Sequence, residues 1–207
     1  MSERKRTFAE IIQDAREALV AAQRGLDELA SNDPRRKRAG LRNVAVFGRS
    51  VTFILQNLRT TVGDEFDDWY APYRKEMGTD DLMRFFVRLR NKFEKVGTPV
   101  EGASYGFRGE TELPTDAARW APPPPGATGF FIDALGPGWV VNVSGESAKF
   151  YVEFPPERVS VDLVLSSPPS NHQGKPIGGA SALDLAKMYL GYLEGLIANA
   201  AQRFAGA

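Results

Sequence analysis

The sequence predicts an α+β protein: a bundle of about four helices with an antiparallel β-meander inserted before the C-terminal helix. Three observations carry this. Apolar residues recur in steps of three and four through residues 7–97, the spacing of a buried helical face. After Pro99 the chain turns to Gly, Pro, β-branched and aromatic residues, the texture of strands and turns. The final segment, 181–204, is apolar nearly all round and needs neighbours on every side, so it returns to fill the bundle. The expected organisation is a helical part over 1–97, a β-rich insertion over 98–180, and a completing helix over 181–207.

Thr7 and Glu10 form a capping box, and Phe8, Ile12, Ala15, Leu19, Ala22, Leu26 and Leu29 follow as one stripe. Ser31-Asn32-Asp33-Pro34 is a stop and turn, followed by the basic run Arg35 to Arg38. Helix two is expected from Arg38 to Val62, with Gly48 inside its stripe predicting close approach of a neighbouring backbone. Val46 and Phe53 lie on its opposite face among Arg42, Arg49 and Asn57, a second contact surface that suits a bundle centre or a subunit interface. Residues 63–78 begin acidic and end basic, but Pro72 predicts a short helix or two turns meeting at a bend. Phe66, Trp69, Tyr70 and Tyr73 read as a lid across the bundle.

Leu82 to Gly97 is the densest meeting of apolar and basic residues. Leu82, Phe86, Leu89, Phe93 and Val96 make its buried stripe, with Thr79 as N-cap, Asp80 and Asp81 at the positive end of the helix dipole, Lys92 and Lys95 at the other, and Gly97 and Pro99 as the stop. Beyond it, Ala103–Arg108 reads as a short strand and 111–127 as irregular, with Pro122 to Pro125 extended as a stiff surface connection. Strands near Thr128–Asp133, Trp139–Val143, Lys149–Phe154 and Val159–Leu165 form the meander. The loop Ser166–Gly179 leads to the last helix, which Ser181 and Asp184 cap and in which Gly191 and Gly195 let a neighbour come close.

Composition narrows the function. No cysteine is present, which excludes disulfides, thiolate catalysis and Cys-ligated metals. Twenty-six basic residues balance twenty-six acidic ones, so no global field draws nucleic acid or membrane. Residues 1–97 nevertheless hold 19 Lys and Arg against 15 Asp and Glu, a local excess of +4 mirrored by −4 in the rest, which favours docking between the two parts as much as an outside partner. MSERKRTFAE opens without an apolar leader and no apolar run reaches the length of a membrane span, so the expectation is a cytoplasmic, bacterial-type protein with no membrane contact. There is no Walker loop, no strand-borne GxGxxG and no EF-hand, and Asp64, Glu65, Asp67 and Asp68 read as capping charge rather than ligands. No metal and no cofactor are therefore expected.

The cations around Leu82–Gly97 differ in setting. Arg84, Arg88 and Lys95 point away from the apolar stripe, the position of a solvated face. Arg90 projects beside the stripe among Met83, Val87 and Glu94, and there needs a carboxylate, a carbonyl or a ligand phosphate. Glu94 or an acid from another helix is the plain partner. Arg35 to Arg38, with Arg42 and Arg49, offer point contacts to phosphate without sequence readout. His172, the only histidine, sits in a polar loop and cannot by itself build a metal site or a triad.

A helical bundle whose late helix carries Arg90-Asn91 resembles the HEPN superfamily, whose pattern is Arg, a polar residue, three more residues and His. The resemblance spans at most residues 7–97 and 181–204, and it implies a dimer interface where Arg and His cleave RNA without metal. Lys95 stands in the histidine slot, where a group titrating near 10.4 is a poor general base at neutral pH but still able to hold a phosphate. Arg42-Asn43 repeats the dipeptide, again without the histidine. The sequence thus leans away from catalysis, toward an interaction or regulatory protein, expected as a homodimer or with a protein or RNA partner. Arg42, Arg49, Arg90, Asn91 and Lys95 are its candidate RNA- or phosphate-binding face. The competing reading is a metal-independent ribonuclease or toxin using Arg90, Asn91 and His172.

Overall fold

The structure, a computed structural model, describes residues 6–95 and 100–205. Helix α1 (Phe8–Ala30) starts at the expected capping box, with the Glu10 amide donating to Thr7 Oγ1 and the Thr7 amide donating to Glu10. It turns back at Ser31 into α2 (Pro34–Leu55), which begins a turn earlier than Arg38. Asp33 is its N-cap, accepting from the Arg35 amide at 2.8 Å, and Pro34 occupies the first helical position, where its missing N–H costs nothing. The last two residues of the segment read as a stop, Asp33 and Pro34, are also a start. The two helices cross at Gly25 and Gly40, where a Cβ on either would lie 2.5–2.6 Å from the other's carbonyl oxygen.

From Leu55 the chain passes through a 3-10 turn (Gln56–Leu58) and the short α3 (Arg59–Val62), and Gly63, at φ +65°, redirects it into α4 (Asp64–Thr79). In place of the expected short helix or pair of turns, α4 runs as one helix of 16 residues through Pro72. Pro72 and Asp68 both face water, so the carbonyl left without a partner four residues upstream is solvated rather than orphaned. Helix α5 (Asp81–Lys95) is capped by Asp80, whose carboxylate accepts from the Met83 amide at 2.9 Å. Thr79 instead ends α4, with its hydroxyl donating back to the Lys75 and Glu76 carbonyls. Val96, Gly97 and Pro99 lie outside the described residues.

The β-rich segment is not one meander of four strands. β1 (Val100–Phe107) pairs antiparallel with β5 (Val159–Leu165), and a separate three-stranded meander comprises β2 (Ala127–Asp133), β3 (Gly136–Val143) and β4 (Glu146–Tyr151). Between β1 and β2, α6 (Thr115–Trp120) occupies part of the stretch read as irregular. It seats Ala117 and Trp120 against Phe154, Val159 and Val161 to form a small second core. A two-residue hairpin, β6 (Asn171–His172) with β7 (Lys175–Pro176), precedes α7 (Ala182–Arg203), whose N-cap is Ser181 as expected.

Helix α7 packs on α1, α2 and α5, and the main core gathers Ile11, Leu41, Leu55, Leu82, Phe86, Leu193 and their neighbours from all the long helices. The β layers are tied to the α1–α2 turn by Asn32. Its amide donates to the Phe154 and Val159 carbonyls at 3.0 and 2.9 Å, and its carbonyl accepts from the Val161 amide. Gly191 and Gly195 admit no neighbour: both are exposed, with nothing within 4 Å of a Cβ placed on either. Among the described residues, no helix is long and apolar enough to cross a membrane.

Candidate functional site: an arginine-rimmed groove

Where α2, α4 and α5 meet, they leave a cavity of about 680 Å³. Its floor is apolar and aromatic. Phe66 and Tyr70 stack at 5.1 Å between ring centroids, Met83 and Tyr189 close the base, and all four are buried. Gly48 is what admits Tyr189: a Cβ there would lie 2.5 Å from Tyr189 Cε1, and the ring cannot retreat because it is stacked on Phe86 at 4.1 Å. The close approach expected at Gly48 is real, but it is made by a ring, not a backbone.

The rim is basic. Arg49, Arg59, Arg74, Arg84 and Arg88 line the cavity, and among the described residues the only acid lining it is Asp67, already held by Arg59 at 2.9 Å. Arg49 donates to Thr52 Oγ1 at 3.1 Å and lies 4.4 Å from the centroid of the Phe53 ring. Arg74, Arg84 and Arg88 are exposed and have no carboxylate partner among the described residues. Burial raises the Tyr70 hydroxyl pKa above the usual phenol range, against the opposing pull of Arg49, Arg74 and a hydrogen bond with Gln56. At neutral pH it is a neutral donor and acceptor under a cationic rim.

Of the residues expected to bind phosphate, only Arg49 is in this groove. Arg42 is exposed elsewhere on α2, and Lys95 is exposed at the end of α5. Arg90 has the plain partner anticipated for it: it is bonded to Glu94 at 2.8 Å, with Asn91 Oδ1 accepting from the same guanidinium at 3.2 Å. The run Arg35 to Arg38 is used internally. Arg35 grips Asp33 with two nitrogens, Arg36 pairs with Glu28, Lys37 donates to the Leu29 carbonyl at 2.6 Å, and Arg38 donates to the Ala134 carbonyl.

His172 is 11% exposed rather than free in solvent, with its Nδ1 3.1 Å from both carboxylate oxygens of Asp80. Burial pushes the Asp80 carboxyl up, but the amides of Gln173 and Met83 together with His172 outweigh it and hold the group below its ordinary range. Ser170 donates to Asp81 and Tyr192 to Glu76, so this cluster buttons the β6–β7 loop onto the α4–α5 junction. Asp80 precedes α5 and Arg90 lies ten residues on, about 15 Å along the axis at 1.5 Å per residue. The structure therefore does not bring His172 beside Arg90 and Asn91.

Arg59, Arg74, Arg84 and Arg88 were not among the candidates. A local signal did exist for two of them. Arg84, Arg88 and Lys92 stand at i, i+4 and i+8 on one helix face, a like-charge row that costs stability unless something neutralises it. The acids one turn before Arg84 are engaged elsewhere, Asp80 with His172 and Asp81 with Ser170. Arg74 reaches the groove only through the turn at Gly63, which no local pattern announces, and Arg59 stands on α3 just before that turn.

A family model described as bacteriophage lambda protein ea47 matches residues 23–104, less than half of the chain. The matched stretch runs from within α1 to within β1 and contains every groove residue except Tyr189. No curated protein and no solved structure matches.

Proposed function

We propose that this protein is a non-enzymatic RNA-binding protein of the interaction or regulatory kind, which holds phosphates on the arginine rim between α2, α4 and α5. One observation carries the reading: five arginines surround a single cavity whose one carboxylate is already paired. In a chain of zero net charge, holding three of those guanidinium groups close together without acids raises the local potential, and an anionic ligand relieves it. Arginine suits the task because its planar fork meets phosphate oxygens two at a time.

The test is binding of a labelled single-stranded oligoribonucleotide to the intact protein across a salt series, with metal chelated and the RNA examined afterwards for cleavage. Wild type binds with an affinity that falls as salt rises. Arg84→Glu with Arg88→Glu lowers affinity more than tenfold and reduces the slope of log K against log salt by about 1.4, as expected for two lost phosphate contacts on a single strand. Equal binding by the charge-reversed protein, or none by wild type at low salt, overturns the reading. Metal-free cleavage by wild type replaces it with the ribonuclease alternative.

A further inference from the structure

We propose that the groove is a nucleotide pocket, taking a base against its aromatic wall while the rim holds the adjoining phosphate. The inference rests on the reading of the rim as phosphate-binding and adds the chemical class of what lies beneath it. A purely electrostatic track needs no cavity, because phosphates can be held on an open surface. Here the cations surround a recess of about 680 Å³, within the size range of pockets that enclose small organic ligands.

The recess has what a base requires. Phe53 is 47% exposed on the cavity wall and Arg49 covers it at 4.4 Å, so ring and guanidinium together offer flat surfaces for stacking. Also lining the recess are the Tyr70 hydroxyl and the Gln56 side chain, whose amide donates to the Thr52 carbonyl at 3.0 Å and whose oxygen remains an acceptor. An aliphatic polyanion has no use for these features. A nucleotide uses both, with its phosphate on Arg84 and Arg88 and its base facing Phe53. A free nucleotide and one unit of a single strand share this chemistry, and a base-paired duplex, whose bases are stacked inside, does not present it.

The experiment compares ligands matched in phosphate and sugar and differing only in bases, titrated calorimetrically against the full chain at low salt: ADP against ribose 5-diphosphate, and a single-stranded octamer against an abasic octamer. The base-bearing ligand is expected to bind about fivefold or more tightly, the range of one base stacked on an aromatic ring. Phe53→Ala abolishes that preference, and Phe53→Trp keeps it. Because Phe53 is half exposed, both variants retain the wild-type helical circular dichroism. A preference shown by ADP assigns the free nucleotide, and one confined to the octamer assigns the strand. Equal binding of base-bearing and abasic ligands overturns the pocket while sparing the phosphate rim. A preference that survives Phe53→Ala in full also overturns it, and no binding by any ligand overturns both readings.

Discussion

Two basic regions of this molecule invite opposite conclusions from sequence and from structure. Arg35 to Arg38 is a contiguous run at the head of α2, and every member of it is occupied: two by carboxylates, two by backbone carbonyls. The groove arginines are scattered over α2, α3, α4 and α5, and three of them have no carboxylate partner among the described residues. Density of charge along the chain is therefore a poor guide to where an anion binds. A cation already bonded within the protein holds the fold; a cation gathered with others and left without an acid has its charge free for a ligand.

The sharpest way to break this contrast is Asp33→Ala. Asp33 is 6% exposed, caps α2 and is gripped by Arg35, so its removal takes away an N-cap and a bidentate partner together. A stability loss of about 2 kcal/mol by urea titration is expected, with RNA affinity unchanged. The same carboxylate gives a pH signature. Burial alone would raise its pKa, but the hydrogen bonds from Arg35 more than offset this and lower it. Its stabilising contribution is therefore complete above the unfolded value of about 3.9 and is lost as pH falls through the lower folded value. The gap in stability between wild type and Asp33→Asn should narrow over that interval. Lys37→Met comes next in size. The Lys37 ammonium is buried, which lowers its pKa, and it satisfies the Leu29 carbonyl at the end of α1. Leaving that carbonyl unpaired costs about 1.5 kcal/mol, again without effect on RNA. An effect of either substitution on RNA affinity at a temperature where the variant is folded would erase the distinction between the two regions.

The helices and the class of the fold were legible because each long helix carries its own periodic stripe, and two of them carry the caps read for them: Thr7 with Glu10, and Ser181 with Asp184. Errors arose where a residue's role depended on something distant in sequence. Val159–Leu165 reads correctly as a strand, yet its partner is β1 rather than the preceding strand, because alternation fixes a face and not a neighbour. Gly48 announced a close contact without announcing Tyr189, 141 positions on. The site was less legible for the same reason. Only Arg49 was placed in it, since a cation's freedom depends on which acids the fold brings near, and Asp80 is kept from Arg84 by a histidine 92 residues away.

The smallest expected effect draws the finest line, because Arg88 and Arg90 lie two residues apart on one helix. Arg90 is about a third exposed and bonded to Glu94 one turn on, an arrangement worth only a few tenths of a kcal/mol and weakened by salt. Arg90→Ala should therefore cost no more than about 0.5 kcal/mol at low salt, less at high salt, and leave RNA affinity where it was. Arg88→Ala removes one member of the like-charge row formed with Arg84 and Lys92, so its stability should stay level or rise by a few tenths while its RNA affinity falls. Opposite outcomes from neighbouring arginines follow from their settings: Arg88 lines the groove without a carboxylate, whereas Arg90 lies two turns beyond Met83 on the same side of α5, outside the lining and bonded to Glu94. If Arg90→Ala instead weakened RNA binding as much as Arg88→Ala, phosphate would be reaching past the groove along α5, and the binding surface would have to be extended toward the C-terminal end of that helix.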